Sequence, residues 1–239
     1  NKVMFIYDLL TEYGRGISRE GLLNVVGFVF ALVFALTFHE VAHGVVALWN
    51  GDNTAKASGR LSLNPAKHFD LMGLVFMLLV GFGWAKPVPV NPYNFKNRKL
   101  GAVTVSVAGV ATNFLLAFLF ALPVVLLQNV EVQINTPKYY ALYCLLQFCY
   151  FMVVLNINFG LFNILPLYPL DGYRLLSCLV NERNGFMTFL RRYSFYIMLV
   201  LIALSYIPVV GDYSPLYLYI GWVGGKIQGG FFSFWGLLV

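Results

Sequence analysis

Charge is scarce in this sequence. Of its 239 residues only 11% are Asp, Glu, Lys or Arg, where a soluble domain carries about 25%. So few charges cannot cover a surface that faces water on all sides, which excludes a freely soluble globular fold. Acidic residues are the scarcer kind, 10 against 16 basic ones, for a formal net charge of +6. The basic residues are spread over short loops between apolar runs, so they read as membrane-orientation signals and no nucleic-acid partner is expected. Cysteine is rare too. Cys144, Cys149 and Cys178 lie in or beside apolar segments without ligand-type spacing, which leaves them as small packing residues. Internal repeats, low-complexity tracts and any polar stretch long enough for an accessory domain are lacking.

Apolar length is what the sequence has. Hydrophobic residues make up 59%, the mean hydropathy is +0.74, and several runs reach the roughly 20 residues that a helix needs to cross hydrocarbon. Residues 1–21 place Phe5, Ile6, Leu9, Leu10 and Tyr13 among Asp8, Glu12 and Arg15. That pattern suits a helix lying at the membrane interface, or a simple entry segment. No cleavable signal peptide is expected there, because six positions are charged and the apolar run that follows is too long. Spans are predicted at 22–49, 102–128, 139–165, 193–210 and 216–239. The run from Leu71 to Trp84 is too short for a span and reads as a re-entrant or interfacial piece. The stretch that follows, AKPVPVNPYNFKNR at 85–98, has prolines at 87, 89 and 92, which excludes helix interior and central strand alike. It either receives an extended peptide by strand addition or merely connects its neighbours. The expected fold class is an all-α polytopic membrane protein with about five to six transmembrane helices and a re-entrant or extended loop region after the first span.

The first span contains His39-Glu40-Val41-Ala42-His43, an HExxH pattern. Residues four apart share a helix face, so both imidazoles reach one metal ion while Glu40 lies close enough to deprotonate a water. Titratable groups in lipid are costly and therefore functional candidates. Two other readings are a hydrogen-bonded histidine pair inside a bundle and a transporter's metal site. A transporter, however, needs polar residues along several spans, and 102–128 and 193–239 hold few.

A catalytic zinc takes three protein ligands and keeps one position open. The third could come from Asp52, His68, Asp70, Glu131, Asp171, Glu182 or Asp212. Asp171 stands out: it ends the segment FNILPLYPLDG after a full span and two prolines, with Gly172 allowing a sharp turn. Its alternative use is as the N-cap of a following helix. If it shares a metal with HEVAH, spans 22–49 and 139–165 must run in the same direction and 102–128 in the opposite one. The run at 71–84 then cannot cross. Loops 50–100 and 166–192 fall on one side and hold most of the Lys and Arg, which makes that side cytoplasmic.

These residues resemble the site-2 protease family of intramembrane zinc metalloproteases. HEVAHG at 39–44 matches the family's first motif, and NILPLYPLDG at 163–172 is similar to its second, of the NxxPxxPxDG type. GRLSLNPAKHFD and FGWAKPVPVNP further resemble the short bacterial branch without PDZ or CBS domains. The resemblance implies one Zn2+ per chain on His39, His43 and Asp171, with Glu40 as catalytic base. It also implies Asn163 and Pro166 as substrate-binding residues lining the site. Asn113 falls where the family has Gly-Pro-x-x-Asn, with Val110 in place of the proline, and it is assigned the same substrate-binding role. HFDLMG at 68–73 departs from the branch pattern, so His68 reads as a structural loop histidine. The implied organisation is an interfacial segment at 1–21, a metalloprotease core at 22–192 and C-terminal transmembrane helices at 193–239. The implied activity is hydrolysis of peptide bonds within or near the transmembrane segments of membrane proteins. The implied place is the cell membrane, multi-pass, with the site toward the cytoplasm. Gly221, Gly224 and Gly225 permit close helix approach and with it a homo-oligomer. An inactive homologue that only binds membrane proteins is the competing reading, and it would be expected to have lost Glu40 or a ligand.

Overall fold

The computed structural model describes residues 10, 17–80, 83, 85–181, 184–207 and 213–239. Most of the interfacial segment expected at 1–21 lies outside these, as do Glu182 and Asp212. Helix α1 (Arg19–Trp49) begins where Ser18 accepts a hydrogen bond from the Gly21 amide, and it runs for 31 residues. At 1.5 Å per residue this is about 46 Å, enough for the hydrocarbon and both headgroup layers. Helix α3 (Arg98–Gln128) is capped by Asn97. Helix α4 (Pro137–Asn163) is capped by Thr136, with Pro137 in the first turn, where its missing N–H costs nothing. Among the described residues these three, with α6 (Gly185–Tyr206), are the helices long and apolar enough to cross a membrane.

α1, α3 and α4 pack as a three-helix core. The buried positions of α1 include Gly27, Ala31, Leu32, Ala35, His39, His43 and Ala47, a stripe at three- and four-residue spacing. Small residues let backbones close up. A Cβ on Gly27 would come within 3.1 Å of the Phe148 amide nitrogen on α4. Ala117, Ala121 and Val124 of α3 meet Cys149, Val153 and Ile157 of α4. Near the start of both helices the Tyr143 hydroxyl donates to Asn24 at 3.0 Å, and further along Gly27 meets Phe148, so α1 and α4 run parallel. On α3, Thr104 accepts from Asn50 at 3.0 Å and Gly109 lies against His39, so α3 runs antiparallel. These are the directions a shared metal requires.

Between α1 and α3 the chain makes a short excursion. Helix α2 (Leu71–Val80) has 10 residues, too few to span. It places Met77 against Phe28 and Leu32 of α1, and an isolated antiparallel bridge joins Phe69 before it to Ala85 after it. This path fits the expectation that the run does not cross, and it is compatible with a re-entrant and with an interfacial piece alike. No regular strand forms among the described residues.

After α4, helix α5 (Asp171–Leu179) is short and packs on α3. α6 starts eight residues before the predicted 193, because Asn184 caps it by accepting from the Phe186 amide, and Arg191 and Arg192 ride exposed in its second turn. It ends at Tyr206, since Ile207 precedes Pro208 and is extended. Its inner face, Met187, Leu190 and Met198, packs on Leu165, Leu167 and Leu170. The predicted span at 216–239 is three consecutive pieces: Pro215–Leu218, a π turn at Tyr219–Val223, and helix α7 (Gly224–Gly236). Gly224 meets Ile157 and Leu161 of α4, while a Cβ on Gly221 or Gly225 would meet none of the described residues within 4 Å beyond its own helix.

Candidate metal centre

The HEVAH sequence sits in the last three turns of α1, so both histidines project from one face into the core. Parallel packing delivers Asp171, 128 positions beyond His43, to the same point. His39 Nε2 and His43 Nε2 are 3.1 Å apart. Asp171 Oδ2 lies 3.3 Å from the first and 3.1 Å from the second. All three side chains are buried. Among the described residues this is the one cluster of His, Cys, Asp or Glu arranged to hold a metal.

The hydrogen-bond pattern shows what such a triangle requires. The Val105 carbonyl can only accept, so His43 Nδ1 carries a proton and donates to it at 2.7 Å. In the neutral ring that a metal ligand must be, His43 Nε2 is then a bare lone pair aimed at a carboxylate oxygen. Lone pair and anion repel unless a cation lies between them. Among the described residues Asp171 Oδ2 has no hydrogen-bond donor, and His39 Nδ1 is likewise unpartnered. Ligand atoms about 2.05 Å from a tetrahedral zinc lie roughly 3.3 Å from one another, close to the edges found here. The donor set, two neutral imidazoles and a carboxylate, is a zinc set. The residues present therefore fit the ion. The Val105 contact is the outer-shell bond that usually fixes a metal-binding histidine's tautomer.

Two glycines make room. A Cβ on Gly109 of α3 would overlap His39 and His43, and one on Gly172 would overlap the carbonyls of Ile164 and Leu165. Gly172 thus serves through close approach; its φ is not positive. Asp171 is the first residue of α5 and does not cap it: the N-cap is Leu170, without a side-chain bond. Its second oxygen, Oδ1, lies 3.8 Å from Arg174 Nη1. A cavity of about 50 Å³ opens beside Asp171, walled by Ser106, Val107, Val110 and Leu175.

The other predicted residues fall as follows. Glu40 is half-buried, and its Oε2 accepts from the Val88 amide at 2.7 Å. Asn113 is fully buried on α3, and neither carboxamide atom has a partner among the described residues. Asn163 donates to its own helix at Phe159 O, 3.0 Å away, and Pro166 is exposed on the following turn. His68 is fully buried and hydrogen-bonded at Nε2 to the Ser62 carbonyl, a loop contact away from the cluster. Asp70 accepts from the Gly73 amide and Glu131 is exposed.

Asp52 turns out to be a structural hub. Burial pushes its carboxyl up, but hydrogen bonds from Thr54, Asn91 and Asn94 outweigh that and hold it below the ordinary range. Its oxygens accept from the Asn91 amide at 2.7 Å and the Asn94 carboxamide at 2.8 Å, which ties the end of α1 to the loop before α3.

Residues 27–205 match the sequence profile of Peptidase family M50. A Bacillus subtilis (strain 168) protein named "Putative zinc metalloprotease YwhC" is 41% identical over 186 residues, which covers 77% of this chain and 82% of that one. "Zinc metalloprotease MJ0392" of Methanocaldococcus jannaschii is 24% identical over 185 residues, covering 77% of this chain and 43% of the relative. No solved structure matches the chain.

Proposed function

Because the chain belongs to peptidase family M50, the site-2 protease family of intramembrane zinc metalloproteases, we propose that His39, His43 and Asp171 hold its zinc and that Glu40 is the general base. The observation that carries this assignment is the buried triangle of Nε2, Nε2 and Oδ2 with edges of 3.1 to 3.3 Å. When bound, zinc supplies Lewis acidity, polarising a peptide carbonyl and lowering the pKa of water to about 7.

The chain's own residues do the rest. Glu40 takes a proton from the attacking water and returns it to the leaving nitrogen as the C–N bond breaks, so water is added across the peptide bond. Val105 holds the His43 ring. Asn113, buried without a partner on the same face of α3 as Gly109 and one turn on, has the free donor and acceptor to bind a substrate backbone, and Asn163 and Pro166 border the same end of the core. A substrate helix hides its carbonyls in internal hydrogen bonds and must unwind locally before it is cut.

Membrane-protein substrates are those of the family. The finer reading is cleavage in the cell membrane, from the cytoplasmic side. It rests on the C-terminal ends of α1 and α4 and the N-terminal end of α3, which lie together. The segments that join the spans at that end carry Lys56, Arg60, Lys67, Lys86, Lys96 and, on α5, Arg174. The outward-facing Gly221 and Gly225 leave a small-residue surface for self-association. A panel of single-span proteins incubated with wild type, Glu40→Gln and Asp171→Asn, with zinc measured in each, tests the site. The expected result is that Glu40→Gln keeps zinc and does not cut, while Asp171→Asn loses both. Wild-type cutting by Glu40→Gln removes the base assignment.

A further inference from the structure

The proline-punctuated stretch at 85–91 has no part in the chemistry above, yet it reaches the catalytic carboxylate. Its amides turn back into the enzyme: Lys86 N–H donates to the His68 carbonyl at 2.8 Å, Val88 N–H to Glu40 Oε2 at 2.7 Å, and Asn91 N–H to Asp52 Oδ2 at 2.7 Å. Residues 87 and 89 are prolines without an N–H, and Arg60 Nη2 takes the Pro87 carbonyl at 3.1 Å. A substrate strand laid along the outer edge finds no donor at 87 or 89, so the strand addition envisaged from the sequence is deprived of half its ladder bonds there.

The Val88 amide is held from several directions. Its side chain is buried and seated on Gly44, the residue after His43, where a Cβ would come within 3.0 Å of Val88 Cγ1. Arg60 also grips the Lys86 carbonyl at 2.7 Å, and prolines fix the backbone on both sides. A rigid donor therefore meets a side chain that is otherwise free to rotate about three bonds. A hydrogen bond to a carboxylate is roughly twice as strong as one between neutral groups.

We propose that the Val88 backbone amide is a positioning group for hydrolysis: by holding Glu40 Oε2 it leaves Oε1 as the atom that takes the proton of the attacking water. This rests on the reading of Glu40 as the base. The amide exchanges no proton; it fixes the rotamer from which the transfer occurs, and the proton passes from water to Oε1 and on to the leaving nitrogen.

The test uses the full chain in detergent and a single-span protein that the wild type cuts. Val88→Pro removes the N–H within an already extended run of prolines. It is expected to lower kcat about 10- to 100-fold, with KM within about twofold and zinc still bound, since misplacing a catalytic group by an ångström costs that order. Val88→Ala keeps the amide and gives up the seat on Gly44, so it loses thermal stability and far less of kcat than Val88→Pro. Val90→Pro, whose N–H has no acceptor among the described residues, leaves kcat unchanged. If Val88→Pro does not yield folded protein, Arg60→Gln loosens the same clamp with the amide in place and is expected to lower kcat about threefold or more at constant KM. Wild-type kcat in Val88→Pro or, failing that protein, in Arg60→Gln overturns the proposal if Glu40→Gln is inactive. So does an equal loss in Val88→Ala and Val88→Pro, or a Val88→Pro loss that follows zinc content. Wild-type rates in Glu40→Gln overturn the base assignment itself.

Discussion

Gly109→Ala adds one methyl group where α3 leans on both imidazoles. The new Cβ would lie 2.5 Å from His43 Nε2, where ordinary contact begins at 3.4 Å. The difference, 3.4 − 2.5 = 0.9 Å, must be found by moving α3 or the ring. A metal site tolerates about 0.2 Å, so the strain exceeds what the ligands can absorb several-fold. Moving α3 breaks its packing on α1 and α4 at a cost of about 1–3 kcal/mol. Turning the ring away breaks the His43–Val105 bond, an outer-shell loss worth about 10- to 100-fold in affinity. His39 Cε1 is as close, at 2.4 Å, so both rings must give. They are the cheaper elements to move, because the three-helix seam is continuous whereas only the Val105 bond holds the His43 ring and His39 Nδ1 has no partner among the described residues. The variant is therefore expected to fold and to hold zinc at least about 10-fold more weakly than wild type. The assay is zinc content at a series of buffered free-zinc levels, read beside the midpoint of thermal unfolding with and without chelator. Chelation should lower the wild-type midpoint and leave that of Gly109→Ala nearly unmoved. Full zinc occupancy with wild-type cleavage in Gly109→Ala would refute the reasoning.

Three further outcomes are expected. Asp171→Asn removes the anion from the triangle and should weaken zinc by more than the about 100-fold ceiling of an outer-shell change, as equilibrium dialysis against a zinc buffer would register. Asp52 has a native carboxyl below its ordinary value of 3.8, so the stability it confers is full above about pH 4 and drains away as pH falls through the native value. Asp52→Asn has none of this to lose; it should be destabilised at pH 7 by about 1–3 kcal/mol, and its unfolding midpoint should converge on wild type in acid. Gly27→Leu forces α1 off the Phe148 amide and should cost about 1–3 kcal/mol, read as a lower midpoint in a detergent titration with catalytic residues untouched.

Much of this fold is legible in the residues because lipid makes simple demands. Long apolar runs had to be helices, and one pairing of HEVAH with LDG settled which helices run parallel. The errors came where side chains override hydropathy. α6 begins at Gly185 because Asn184 caps it, whereas apolar counting waits until the two arginines have passed. The last apolar stretch contains a π turn, which a 3.6-residue period does not anticipate. At the site, the three ligand candidates are identifiable as letters. The Val105 carbonyl and the Val88 amide are not, because backbone groups are the same at every position and only the tertiary path selects them. Gly44 and Gly109 stand between these cases. Both lie in motif text, but their reason, a close approach by another segment, needs the neighbour in view.

The distance along the chain between His43 and Asp171 bears on how the protein is made. Ribosomes deliver α1 and α3 to the bilayer before residue 171 has been polymerised, so a half-made chain presents two imidazoles and no carboxylate. With Asp171 as the third ligand, as proposed above, cutting would begin only once the third core helix is in place, and a chain that stops short of it would be expected to leave its neighbours in the membrane intact.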